Sequence, residues 1–220
     1  MILQSLRLSL LVVSIATVII AVAGTAFAYL LAKRRFRGRE MLDALLTLPM
    51  VLPPTVTGYY LILLLGRRGV LGEPLYALSG WTVTFTWVAA VVASTVVALP
   101  LMIKSARAAI ESVDPEYETA SLLMGKSEIE TFFRITLPLA GKGILAGVIL
   151  SFARAFGEFG ATLMLAGNIP GKTQTMPLAI YEAVAGGEDA TAKWLALILT
   201  GISVTVVYLT NRLSRPTPRS

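Results

Sequence analysis

Hydrophobic residues run almost unbroken through five stretches of this chain, and the polar residues gather between them. The stretches cover about residues 8–32, 41–65, 81–103, 143–165 and 194–213. Each reaches the roughly 20 residues that a helix needs to cross a bilayer. In hydrocarbon every backbone N–H and C=O must find its partner within the structure, and a helix does this inside one segment. The pattern predicts an all-α integral membrane protein, a single transmembrane domain over 1–220 with five transmembrane helices.

Two spans are interrupted in ways that bear on chemistry. The second contains Pro49, Pro53 and Pro54, followed by Thr55 and Thr57. A proline inside a helix removes a donor and crowds the carbonyl four residues back, so this cluster predicts a broken or strongly kinked span. Irregular backbone survives at membrane depth where it is buried in protein or lines a cavity. Pro53, Pro54, Thr55 and Thr57 are therefore candidate residues of a translocation pathway, with plain helix packing as the alternative. The fourth span reads SFARAFGEFGA over 151–161 and places Arg154 and Glu158 at i, i+4 on one helix face. A charge at the bilayer centre costs roughly 3 kcal/mol on insertion scales, so intramembrane ionisable groups mark functional positions. A salt bridge that only holds the bundle together is the competing reading, and both stay open. Gly157 and Gly160 permit close approach of another helix.

The longest charged interval runs from Asp114 to Pro138, DPEYETASLLMGKSEIETFFRITLP. Asp114 is a good N-cap and Pro115 suits the first helical position. Glu116 and Glu118 fall in the first turn, where the helix dipole favours negative charge. That helix can run to Met124, with Gly125 just past its end. Ser127-Glu128-Ile129-Glu130 then reads as a capping box, ahead of Ile129, Phe132 and Phe133 on one face, and Pro138 closes the unit. Two short helices joined at a glycine, with an apolar face outside the membrane, form a docking element.

Composition supports the membrane class: 55% of residues are hydrophobic and 15% charged, with a mean hydropathy of +0.75. A soluble domain carries roughly 25% charged residues. The net charge of +6 raises nucleic acid as a partner, but the cations sit beside the hydrophobic spans. Five of them lie in the seven residues Lys33–Arg39, the pattern of a cytoplasmic anchor. In a five-span topology thirteen of the 19 Lys and Arg residues fall on one side, five on the other and Arg154 within a span. That asymmetry predicts an N-terminus outside and a C-terminus in the cytoplasm, including the basic tail Arg212, Arg215 and Arg219. The interval 114–138 then faces the cytoplasm. A multi-pass protein of the cell (cytoplasmic or inner) membrane is expected, with lipid and no nucleic acid as its surroundings.

Cysteine and histidine are both absent, which removes disulfides, the usual zinc and haem ligands and ordinary Ser-His-Asp machinery, so no metal site is expected. Gly125-Lys126-Ser127 and Gly171-Lys172-Thr173 look like the ends of phosphate-binding loops. The full motif needs a glycine five residues earlier, and Ala120 and Ala166 stand there. No catalytic residue is assigned, although Ser151 and Glu158 are the groups an intramembrane hydrolase would use.

Gly125, nine intervening residues, Ile135 and then Leu137-Pro138 resemble the "EAA" loop of permease subunits of ABC importers. The family's Glu-Ala-Ala lies six residues before the glycine, where this chain has Thr119-Ala120-Ser121. Glu118 stands one position early, as a shifted equivalent or in another role. The chain also resembles molybdate importer permeases in LPMVLPPTVTGYYLILLLGRRGVLGEPLY (48–76), SFARAFGEFGAT (151–162) and NIPGKTQTMPLAIY (168–181). Sulfate and tungstate permeases share parts of these. The resemblance implies the ABC type I importer permease fold, a homodimer, a cytoplasmic ABC ATPase dimer that binds ATP and Mg, and an extracytoplasmic molybdate-binding protein. It implies no cofactor on this chain. It also implies that Glu118, Thr119, Ala120, Ser121, Gly125, Phe132, Phe133, Ile135, Leu137 and Pro138 couple to the ATPase, with Phe132 and Phe133 in an apolar pocket. Hydroxyls and backbone near Thr55 and Thr57 are the expected anion contacts, ahead of a bare arginine. An ATP-independent channel or carrier, and a scaffold subunit without a path, are the alternatives.

Overall fold

The computed structural model describes residues 2–213, with the side chains of 209–211 and 213 outside the description. Arg215 and Arg219 therefore lie outside the described residues. All the regular structure in the described residues is helical: α1 (Ile2–Lys33), α2 (Arg39–Val51), α3 (Pro54–Leu65), α4 (Gly72–Ser79), α5 (Trp87–Glu111), α6 (Pro115–Leu123), α7 (Glu128–Thr131), a π-helical turn (Phe132–Thr136), α8 (Leu137–Phe156), α9 (Gly160–Ala166), α10 (Met176–Ala185) and α11 (Asp189–Leu213).

Four helical stretches in the described residues are long and apolar enough to cross a membrane: α1, α5, the continuous 128–156 stretch and α11. α5 is the axis of the bundle. Its Ala89, Ala90, Ala93, Ala98 and Ala106 are fully buried, and small side chains let neighbouring backbones come close without polar glue. α1 lies along it through a stripe at helical spacing that includes Val13, Ala16, Ile20, Ala28 and Leu31. α8 takes another side of α5, and α11 packs outside α8 and α10 with most of its surface uncovered. Ser9 of α1 accepts the Met176 backbone N–H at 2.8 Å, satisfying a donor that the first turn of α10 leaves free.

The second apolar run is broken, as its prolines predict. Leu52 and Pro53 are both extended, with ψ of 144° and 138°, because each precedes a proline. α2 ends at Val51 and α3 restarts at Pro54, a first-turn proline. The fourth run is broken too, which its i, i+4 reading missed. α8 stops at Phe156, and Gly157, Glu158 and Phe159 cross to α9 in non-helical backbone.

Other boundaries differ from the hydropathy reading. The loop after α3 contains the helix α4, and the third span starts at Trp87 and runs on to Glu111. The interval between α9 and α11 holds α10, and the last helix begins at Asp189. Pro138 does not close a helix: the stretch 128–156 runs through it. The reason is the π turn just before it, where the Leu137 N–H bonds back to Phe132 O. This wider turn accommodates the proline ring that a regular helix would crowd.

Candidate functional sites

The first site is the element over 114–138. Asp114 caps α6 by accepting the Glu116 N–H at 2.9 Å, and Ser127 caps α7 by accepting that of Glu130 at 3.2 Å. Between them Gly125 has φ of +83°, a left-handed conformation in which an L side chain is strained. A buried hydrogen bond of 2.8 Å between the Ser121 and Thr131 hydroxyls locks the two helices together. Thr119 turns its hydroxyl to the Pro115 carbonyl at 2.9 Å, and Ala120 is exposed.

Glu118 faces inward. One carboxylate oxygen meets Lys33 Nζ at 2.8 Å and the other accepts from the Thr136 hydroxyl at 2.6 Å. Next to it Arg34 pairs with Glu128. These contacts hold the last turn of α1 against both helices of the element. Phe132 belongs to the same junction, because its ring packs on Tyr29 with centroids 4.5 Å apart. The outward apolar surface is therefore Tyr117, Leu122, Leu123, Met124, Ile129 and Phe133, with Ile129 73% and Phe133 60% exposed. Ile135 in the π turn and Leu137 at the start of α8 are half-buried, and Pro138 on α8 is exposed.

The second site is where the two broken spans meet. A Cβ on Gly160 would lie 3.1 Å from Pro54 Cβ, and one on Gly58 would lie 2.9 Å from Ala161 Cα. These glycines bring α3 and α9 into contact within one chain. Arg154 Nη1 donates to Glu158 Oε2 at 2.7 Å, while Glu158 Oε1 accepts the Ala161 N–H at 2.8 Å. The Glu158 side chain is 1% exposed and that of Arg154 33%. A cavity of ≈ 320 Å³ is lined by Pro54, Thr55, Arg154, Glu158 and their neighbours. A second, of ≈ 250 Å³, runs past Pro49, Leu52, Pro54, Leu101 and Arg154. Pro53 forms the exposed bend between α2 and α3. Thr57 is buried and lines neither cavity. Ser151 is fully buried with its hydroxyl unpartnered.

Sequence reasoning missed Lys33, Arg34, Tyr29 and Thr136 as parts of the first site. Lys33 and Arg34 were legible only as members of a basic run.

Residues 20–218 match the family described as binding-protein-dependent transport system inner membrane component. The chain belongs to that family. It is 43% identical over 216 residues to the molybdenum transport system permease protein ModB of Escherichia coli K12, covering 96% of this chain and 94% of the relative. It is 43% identical to the putative molybdenum transport system permease protein YvgM of Bacillus subtilis, over 87% of this chain and 85% of the relative. The sulfate transport system permease protein CysT of Salmonella typhimurium aligns at 33%, over 94% of this chain and 74% of the relative. Among solved structures, a bacterial ABC transporter involved in import of the polysaccharide alginate matches with a TM-score of 0.77 at 14% identity, over 99% of this chain and 80% of that one. The fold is that of ABC type I importer permeases. As a member of this family the chain is a multi-pass membrane protein and a transport subunit. The 114–138 element and the broken-span junction are thus parts of one transport fold.

Proposed function

We propose that this chain is the permease subunit of an ATP-driven ABC importer for molybdate, working as a homodimer in the cytoplasmic membrane. A cytoplasmic ABC ATPase dimer, carrying ATP and Mg, drives it, and an extracytoplasmic molybdate-binding protein supplies the anion. The observation that carries the reading is the outward apolar surface of the 114–138 element, on a chain whose full-length relatives are named as molybdenum permeases. Six exposed apolar side chains beyond the end of a span are costly in water and suit a groove in a soluble partner. The basic run Lys33–Arg39 lies at the same end, which supports a cytoplasmic position.

The coupling is mechanical. When ATP closes the ATPase dimer, the element moves with the surface it sits on. Ser121–Thr131 keeps its two helices rigid, and Lys33–Glu118 with Phe132–Tyr29 carry the displacement into α1, which packs along α5. The response is alternating access at the junction of the broken spans, the irregular backbone that lines cavities in this chain. Thr119, Ala120, Ser121, Gly125, Ile135, Leu137 and Pro138 shape the element, while Ile129 and Phe133 make its contact.

The test is ATP hydrolysis by the reconstituted permease–ATPase complex. Molybdate-loaded binding protein should stimulate it several-fold more than the empty protein does. Equal hydrolysis with loaded and empty protein, or stimulation by a sulfate-loaded protein alone, would contradict the reading.

A further inference from the structure

We infer that Arg154 is where the translocated oxyanion is held in passing, and that Glu158 is the fixed counter-ion that keeps this hold weak. The inference rests on the importer reading above and assigns the contact within its pathway.

Arg154 lines both cavities that flank the Pro53–Pro54 break, so an anion passing the junction of the broken spans meets its guanidinium on either side. The two partners of the pair are also unequal. Glu158 is locked, with one oxygen bound to Arg154, the other to the Ala161 N–H, and its side chain shut away from solvent. Arg154 is a third exposed and donates to Glu158 through Nη1 alone. Its Nε and Nη2 have no protein hydrogen-bond acceptor among the described residues. A pair that only stapled helices would use more of that donor set and bury both ends. A guanidinium presents five donors in a planar fork that matches tetrahedral oxyanions, which a lysine ammonium does not.

The arrangement also fits transport as opposed to storage. Between transits the buried carboxylate neutralises the arginine, which lowers the cost of a charge at membrane depth. During transit the dianion competes with Glu158 for one cation, so the well is shallow and release is fast. Thr55, in the same cavity wall, offers a neutral hydroxyl beside the fork. Thr57 is buried away from both spaces, so it does not share this contact.

The experiment measures labelled molybdate binding to the detergent-solubilised permease–ATPase complex, together with ATP-driven uptake into proteoliposomes. Glu158→Gln keeps the shape and the Ala161 bond but removes the counter-charge. It should lower the Kd for molybdate at least tenfold while lowering the maximal uptake rate. Arg154→Gln in the same background should abolish that tight binding. Arg154→Lys, which keeps the charge but not the fork, should lower uptake about tenfold in a complex that still assembles. Wild-type binding by Glu158→Gln, tight binding that persists without Arg154, or wild-type uptake by Arg154→Lys would each overturn the inference. If the wild-type complex imports sulfate and no molybdate, the substrate reading fails, and the same variants decide the role of Arg154 with labelled sulfate.

Discussion

Lys33 Nζ lies 2.8 Å from Glu118 Oε2, joining the end of the first helix to the 114–138 element across 85 residues of sequence. Both side chains are mostly covered, at 22% and 17% exposed, so neither can be removed without leaving the other partly desolvated. Lys33→Met should cost about 1–2 kcal/mol of folding stability, between the values for surface and buried pairs. Exchanging the charges, Lys33→Glu with Glu118→Lys, should recover much of the loss and restore uptake per ATP hydrolysed. A double-mutant cycle on thermal stability and on that ratio checks it. Additive single effects would show that the pair is not a transmission contact.

Adjacent phenylalanines should behave differently. Phe132→Ala removes the ring packed on Tyr29, and a half-buried position should cost about 1–3 kcal/mol, less than a fully buried ring. Phe133→Asp keeps the Phe132–Tyr29 contact, gives up only the edge-on contact of the Phe133 ring with Phe132 at 5.1 Å, and puts a charge on the outward face. It should destabilise the protein less than Phe132→Ala does while abolishing co-purification with the ATPase. Loss of ATPase binding in both variants with equal destabilisation would contradict the division of roles.

This division shows how far the sequence reaches. Ile129, Phe132 and Phe133 form one apolar set by spacing, but the Tyr29 ring, about 100 residues away in sequence, takes Phe132 inward. The caps Asp114 and Ser127 and the turn at Gly125 were legible because capping and left-handed backbone are local chemistry. The break at Pro53 was legible for the same reason. The break at Gly157–Phe159 was not, because scattered glycines in an apolar run read as helix-packing positions, and Glu158 is held out of the helix by its bonds to Arg154 and Ala161. Passage of the helix through Pro138 depends on a π turn, which leaves no mark in hydropathy. Which of five clustered cations meets Glu118 is set by packing alone.

Gly125 has φ of +83° with open space around its missing side chain, so a substitution there acts through backbone strain. Gly125→Val should cost about 1–2 kcal/mol and tilt α7 away from its seat. Gly125→Asn, which tolerates the left-handed region, should retain most activity. Uptake normalised to membrane-inserted protein separates the two, and equal activity in both variants would contradict the turn's role.

Gly160 is a close-approach position. A Cβ there would sit 3.1 Å from Pro54 Cβ and 3.3 Å from Thr55 Cγ2, tighter than ordinary contact. Gly160→Val should cost about 1–3 kcal/mol by overpacking and push α3 away from α9. The altered junction should reduce uptake even in complexes that assemble fully. Wild-type uptake by this variant would show that the α3–α9 contact does not shape the path.

The most direct measurement of the central claim is uptake of labelled molybdate into proteoliposomes holding this chain, its ATPase and its binding protein, with each component and ATP omitted in turn. The account predicts accumulation that requires all three proteins and ATP, with molybdate taken up in preference to sulfate. Uptake that persists without ATP or without the ATPase would make the chain a channel or carrier and contradict the account.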